Sequence, residues 1–365
     1  LSSQNTKMLG NLSRDRNNNL NLIRMVAASA VLIGHAWPLS LGPDAATSIP
    51  GLFSSTAVLI FFGISGFLVT QSMDRTSAVE NWLSARALRL FPGLLVALLL
   101  TVLILGPAVT KLPLASYFSS PEIISYFVRN FTLAFMQYGL PGVFENNPYP
   151  IAINGSLWTL FYEVVCYSVV FLFGFLALKR AIGAKLIFFG VLFGVYATVH
   201  VLGAYEHAPY KAEALMKLGF PFFVGMTFYV WRDKLPMNWF LGVALFCLTF
   251  LFKEFFFYKE VYLITLTYWV FLIGYLPKGR ILSYNNIGDY SYGTYIYAFP
   301  IQQASVYFFD ISSPWVNIAI AFPITLLCAT LSWYLVEKPC LKHKSTFAAA
   351  LTALTLPLKR ALQLR

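Results

Sequence analysis

Charge is what this 365-residue sequence has least of: Asp, Glu, Lys and Arg together make up 11% of it. Soluble globular domains carry about 25%, and a water-facing surface of this size needs those residues, so an ordinary soluble protein is excluded. With 58% of residues apolar, including 34 Phe and 21 Tyr, a disordered chain is excluded as well. Cysteine is scarce. Cys166, Cys247, Cys328 and Cys340 lie far apart, with no Cys-x-x-Cys and no Cys/His ligand spacing. Neither a metal site nor a disulfide framework is supported, and the cysteines within apolar runs read as packing residues. Internal repeats and a separate soluble domain are also missing. No signal peptide is expected before the first apolar run, which holds Arg24 and His35 and lacks a clear cleavage site. What remains is an all-α, polytopic membrane bundle.

A helix needs about 20 mostly apolar residues to cross the hydrocarbon core. About ten transmembrane helices are expected, over 20–41, 52–73, 87–107, 156–178, 185–203, 213–231, 238–252, 260–276, 288–309 and 315–336. The one long connection, 108–155, holds an amphipathic run over 122–138, read as a helix lying on or dipping into the membrane. A Pro/Asn-rich loop from Glu145 to Asn154 follows it. This gives a tail over 1–19, a membrane domain over 20–337 and a basic tail over 338–365. Counting Lys and Arg by side, nineteen of the 26 fall on the face that holds both termini. By the positive-inside rule that face is cytoplasmic. The basic excess of +11 therefore reflects topology and anionic membrane lipids, and nucleic acid is not an expected partner.

Ionisable groups inside a span are costly and are functional candidates by default. In the first run, NLNLIRMVAASAVLIGHAWPLS, Arg24 and His35 stand eleven residues apart. At 100° per residue they share one helix face, about 16 Å apart along the axis. Arg24 falls near the cytoplasmic end, where snorkelling is the bland alternative. His35 lies past the midplane, as a general base or a structural hydrogen-bonding histidine. Glu163, in SLWTLFYEVVCYSVV, enters from the other side to a similar depth, and a carboxylate beside His35 would orient the ring. The alternative is a packing Glu bonded to a Tyr hydroxyl or to Arg129. FFGISGFLV offers Ser65 between Gly63 and Gly66, whose default reading is close helix packing. SARALRLFP puts Arg86 and Arg89 on one face at the inner surface, able to hold phosphates or simply obeying the topology rule. NIGDYSYGTYIYAFPIQQ places Asp289, Ser291, Tyr292 and Tyr295 at the inner end of a span, with Pro300 expected to break or kink it. Glu337, before Lys338 and Pro339, reads as a helix-terminating salt bridge. His200, His207 and His343 receive no role.

Taken in order, these segments and the terminal Glu-Lys-Pro resemble the acyltransferase 3 family of bacterial integral-membrane O-acyltransferases, over about residues 20–340. The resemblance implies a multi-pass protein of the bacterial cytoplasmic (inner) membrane. It would move an acyl group, usually acetyl, from acyl-CoA to a hydroxyl of a cell-surface sugar or glycolipid. Acetyl-CoA is then a donor substrate, with no permanently bound cofactor and no metal. Arg24, Arg86 and Arg89 would meet the CoA phosphates, His35 and Glu163 would do the acid–base chemistry, and Ser65, Tyr292 and Tyr295 would line the acyl path. Many members carry a His where this chain has Ala298, which leaves His35 to act alone. The esterase-like domain that some members append has no counterpart here, so a separate periplasmic transferase protein is a possible partner. The competing class is a transporter or flippase of a lipid-linked sugar, which suits broken helices and intramembrane charge but predicts inverted repeats.

Overall fold

The computed structural model describes residues 7–15, 17–76, 78–178, 180–201 and 210–363. Arg16, Lys179, His207 and Arg365 lie outside the described residues, as do the side chains of His200, Lys359 and Arg360. The chain is all-α apart from one two-residue strand pair. The main helices are α1 (Leu20–Leu41), α2 (Ile49–Arg75), α3 (Val79–Leu100), α4 (Pro121–Thr132), α5 (Trp158–Phe173), α6 (Ile182–Val201), α7 (Tyr210–Val230), α8 (Trp239–Leu251), α9 (Tyr258–Tyr275), α10 (Ser291–Phe309), α11 (Pro314–Ser332) and α12 (Lys344–Gln363). Over its described residues each of the ten expected spans falls on a helix, but length and apolarity do not qualify all ten as crossings. Among the described residues, five helices are long and apolar enough to cross a membrane: Leu20–Leu41, Ile49–Arg75, Val79–Val109, Gly155–Leu178 and Pro314–Lys342. α9 makes a sixth with the turn Arg280–Asn286 if that pair, bent by 91°, counts as one broken span. The amphipathic stretch forms α4, which stops at Thr132 because Leu133 turns left-handed with φ 59°.

The chain divides into two compact units. The first comprises Leu1–Ala27, Thr56–Arg75 and Tyr162–Gly288; the second comprises Ala28–Ser55, Thr76–Phe161 and Asp289–Arg365.

In the first unit, the segment before α1 is fastened down by hydrogen bonds. β1 (Lys7–Met8) pairs antiparallel with β2 (Pro236–Met237). Asn19 donates through Nδ2 to the Pro277 carbonyl at 2.9 Å, and its backbone N–H reaches the Gly274 carbonyl at 2.7 Å. Asn21 donates to the Gly288 carbonyl at 3.0 Å. The asparagine run thus satisfies carbonyls at the end of α9 that no helical donor can reach. Higher in the unit, α2 and α7 cross with backbones almost touching. A Cβ on Gly66 would lie 1.9 Å from the Phe222 carbonyl oxygen, and one on Gly225 would lie 2.1 Å from that of Gly63. Small residues at a membrane helix crossing allow this approach, so the glycines of FFGISGFLV are packing residues.

The second unit is organised around α10, which is buried along nearly its whole length. Pro300 does not break it: the helix runs unbroken from Ser291 to Phe309. A proline removes the donor for the carbonyl four residues earlier, here Ile296, and Asn154 Nδ2 supplies the missing bond at 2.8 Å. The other end of the same side chain, Asn154 Oδ1, accepts from Ser156 N and caps the turn leading into α5. Asn147 and Gln303 add further ties, with Asn147 Nδ2 donating to Gln303 Oε1 at 2.8 Å and Gln303 Nε2 to the Ala152 carbonyl at 2.7 Å. The Pro/Asn-rich loop is therefore an ordered clasp on α10.

The close crossing predicts a sharp contrast between two glycines. Gly66→Val drives a side chain into backbone and should destabilise the detergent-solubilised protein by about 1–3 kcal/mol or more. Gly190→Ala, where a Cβ meets nothing within 4 Å, should be neutral or stabilising. Thermal unfolding of both variants checks this.

Candidate active site

The sequence-picked residues divide between the units: Arg24, Ser65 and Glu163 lie in the first, and His35, Arg86, Arg89, Tyr292 and Tyr295 in the second. Arg24 and His35 stand on the same helix, α1, and both are half-buried.

In the first unit Glu163 is half-buried on α5, and its Oε1 accepts two hydrogen bonds. Ser65 Oγ donates from α2 at 3.1 Å, and Tyr167 Oη donates from one turn further along α5. The tyrosine partner matches the packing alternative for this Glu, and Ser65, expected on the acyl path, is one of its two donors. The unit also holds an apolar cavity among α5, α6 and α7, walled by Cys166, Phe193, Tyr196, Phe220 and Met226 among others. No Asp, Glu, Lys, Arg or His lines it.

In the second unit Arg89 does not stand ready for a phosphate. Its guanidinium spans two carboxylates, Asp289 at 2.6 Å through Nη2 and Glu337 at 3.3 Å through Nη1. Glu337 has 0% of its side chain exposed, and its Oε1 accepts from Ser332 Oγ at 2.9 Å. The salt bridge expected at Glu337 is thus made with Arg89 of α3, and Glu337 closes a π-helical turn, Trp333–Glu337, after α11. Ser291 Oγ donates to Asp289 Oδ1 at 2.7 Å. Aromatic faces of Tyr292 and Trp333 lie 5.7 Å and 5.9 Å from the Arg89 guanidinium carbon. Gly93 makes room, since a Cβ there would fall 2.8 Å from the Tyr292 ring.

Tyr292 and Tyr295, expected along the acyl path, are both buried with engaged hydroxyls. Tyr292 Oη donates to the Leu90 carbonyl at 2.7 Å. Tyr295 Oη donates to the Ser156 carbonyl at 3.1 Å and shares a 2.7 Å bond with Thr159 Oγ1. Arg86 is half-buried on α3, one turn before Arg89.

His35 projects from α1 against α10. Its ring meets Phe299 edge-on with centroids 5.4 Å apart. Phe299 is fixed from behind by Gly155, where a Cβ would lie 2.7 Å from the ring. One turn below His35, the Leu32 carbonyl accepts from Gln302 Nε2 at 2.9 Å. His35 Nδ1 is buried and has no hydrogen-bond partner among the described residues. An imidazole with one buried nitrogen unsatisfied can take and return a proton. The sequence reading assigned no role to Gln302, Asn317 or Asn154. Their signal was an uncharged amide within an apolar run, which carries its own desolvation cost. Among the described residues no cluster of His, Cys, Asp and Glu could hold a metal ion.

Among the described residues the site thus combines one histidine packed against α10 and a buried Arg–carboxylate cluster in a bundle of apolar helices, several of them long enough to cross a membrane. The chain belongs to the acyltransferase 3 family, whose acyltransferase domain matches residues 17–335, and it is an O-acyltransferase. It is similar to an O-acetyl transferase of Shigella phage Sf6, at 28% identity over 356 residues, covering 90% of this chain and 98% of that protein. It is also similar to nodulation protein 10 of Rhizobium leguminosarum bv. viciae, at 34% identity over 164 residues, covering 42% of this chain and 43% of that protein. No solved structure matches.

The ion cluster sets a stability test. Arg89→Leu strands a fully buried carboxylate and should cost about 3–5 kcal/mol, whereas Arg89→Leu combined with Glu337→Leu should recover much of it. Thermal denaturation of the single and double variants in detergent measures both. Equal loss in the two proteins would show that Arg89 does not stabilise the fold through Glu337.

Proposed function

We propose that this O-acyltransferase moves an acetyl group from acetyl-CoA to a hydroxyl of a cell-surface sugar, from within the bacterial cytoplasmic membrane. The family and the phage relative support acyl transfer to oxygen, and His35 carries the residue-level reading. It alone among the described histidines is packed inside a helix contact of the core. In this scheme His35 removes the proton of the acceptor hydroxyl as that oxygen attacks the thioester carbonyl. The thioester C–S bond breaks, and the CoA thiolate takes the proton from the imidazolium. The same imidazole could first accept the acyl group and then yield it to the hydroxyl.

Arg86 is the proposed partner of the CoA phosphates in the second unit, one turn before Arg89 on α3. Arg24, three turns before His35 on the same face of α1, is a further proposed phosphate contact. Glu163, expected to orient His35, is proposed instead as the carboxylate that positions the Ser65 hydroxyl, with Tyr292 and Tyr295 as wall residues. Acetyl-CoA comes and goes as a substrate, and a separate periplasmic protein would complete transfer where the final acceptor lies beyond the membrane.

The test follows label from acetyl-CoA into membrane glycan. His35→Ala should reduce incorporation by about 100-fold or more, while Arg86→Ala should chiefly raise the KM for acetyl-CoA. Native-rate transfer by His35→Ala would overturn the reading, as would surface glycans whose acetylation is the same with and without the wild-type protein.

A further inference from the structure

Two buried polar atoms on facing turns of α1 and α10 lack partners among the described residues: His35 Nδ1 and Gln302 Oε1. Gln302 has 0% of its surface exposed. A buried polar atom left unpaired costs about 1–3 kcal/mol, so such atoms need an explanation. The orientation of the Gln302 amide follows from its contact. Its Nε2 donates to the Leu32 carbonyl at 2.9 Å, and only the nitrogen end can donate, so Oε1 is the free end and is an acceptor.

The register of the two helices brings this acceptor to His35. His35 faces Phe299, and three residues back along α1 Leu32 faces Gln302, three residues on along α10. Further along, Asn317 Nδ2 ties Ser40, five residues past His35 on α1, to the Gln302 carbonyl at 3.5 Å. The two helices therefore run parallel here, and the Gln302 side chain tilts back toward the turn that His35 covers. Side chains on a helix tilt toward its N-terminus and cover the preceding turn. The His35 ring accordingly leans from its own turn toward that of Leu32, where the Gln302 amide is anchored. The other buried orphans are anchored elsewhere on the two helices. Asn317, whose Oδ1 is also unpaired, is held through Nδ2 by Ser40 Oγ at 3.2 Å, five residues past His35 along α1, and by the Gln302 backbone carbonyl at 3.5 Å. Ser156 Oγ, also unpaired, belongs to a residue whose carbonyl accepts from Tyr295, one turn from Phe299 in the direction away from Gln302.

We propose that Gln302 is a positioning residue for His35, its Oε1 accepting the imidazole Nδ1–H directly or through one buried water, so that Nε2 carries the free lone pair. Which ring nitrogen is the base is set by the hydrogen bond the other one makes. The inference rests on His35 being the base, but it makes a structural claim that can be read without any turnover. Gln302 touches neither donor nor acceptor in this scheme. It selects the tautomer, and the neutral amide does so without placing a charge beside the ring.

The experiment is nitrogen NMR of the full-length protein in lipid nanodiscs with ring-labelled histidine, the His35 signals being identified by their loss in His35→Gln. Wild-type His35 should show a protonated Nδ1 and a bare Nε2. Gln302→Leu should shift it toward the opposite tautomer or a mixture, and Ser156→Ala should leave it unchanged. In the acetyl-CoA labelling assay Gln302→Leu should lower kcat about tenfold, the rate equivalent of one net hydrogen bond, with KM for acetyl-CoA within about twofold. A protonated Nε2 in the wild type overturns the proposal, as does a wild-type tautomer in Gln302→Leu that elutes as a folded monodisperse species. Should His35→Ala transfer acetyl at the native rate while the tautomer results hold, the proposed reaction fails and the positioning contact stands.

Discussion

A fully buried carboxylate tolerates few surroundings, and Glu337 imposes that constraint on the second unit. Its charge is met by Arg89 at 3.3 Å and by the Ser332 hydroxyl at 2.9 Å. Arg89 in turn fixes Asp289 at the mouth of α10. One guanidinium thereby joins α3, the start of α10 and the π-helical turn after α11. Such a cluster adds little net stability over well-packed apolar groups. What it adds is register, because sliding any of the three elements by one turn would leave a carboxylate in hydrocarbon without a partner. The position of α10 follows from this end, and with it the position of everything α10 carries.

The same rule, that buried polar groups need partners, runs along α10 toward its other end. Tyr292 bonds the Leu90 carbonyl, Tyr295 bonds the Ser156 carbonyl, and Asn154 fills the vacancy that Pro300 leaves at Ile296. Gln303 holds the clasp loop through the Ala152 carbonyl. In hydrocarbon there is no water to complete these bonds, so each one also specifies an alignment. Phe299, with Gly155 behind it, then has one available place for its ring, and that ring sets the edge against which His35 packs. The chain of dependence runs from an ion cluster at one end of α10 to the imidazole through hydrogen-bonded turns of a single helix.

Much of this was legible in the residues and some was not. Apolar runs locate helices because the membrane demands length and hydrophobicity together, and every run identified is helical. The small-residue reading of Gly63 and Gly66 also matched, since a Cβ is what a close backbone crossing excludes. Partner choice was harder. Lys338 follows Glu337 in sequence, yet Arg89 meets it in space, because adjacent residues of a helix point about 100° apart and do not face each other. Pro300 read as a break or a kink because sequence shows the lost donor and not the Asn154 amide that replaces it from a loop far away in the chain. Gln302, Asn317 and Asn154 carry no charge, so a scan for ionisable residues passes over them. In hydrocarbon their amides are nearly as constrained as charges, which is why they hold the alignment of the core.

Ala298 gives this site a distinctive chemical economy. It is buried beside Phe299 with 1% exposed, so no second imidazole stands at that place on α10. In the proposed reaction one ring must both remove a proton from an alcohol and deliver one to the departing sulfur. The reference acidities permit it: an ordinary imidazolium has a pKa near 6.5 and an ordinary thiol near 8.5. Proton return to the thiolate is therefore downhill by about two pK units, and no separate acid is needed at that step. The demanding step is removal of the alcohol proton, which is favourable only as the C–O bond forms and the oxygen loses basicity. At that moment the imidazole becomes a cation in a site without a nearby charged partner from α10, whose residues facing α1 here are Phe299 and Gln302. An amide oxygen on the Nδ1 side stabilises that cation as it develops, and it costs little while the ring is neutral. A carboxylate in the same place would hold the cation more strongly and oppose return of the proton to sulfur. With a single histidine doing both transfers, a neutral acceptor is the better match to the cycle.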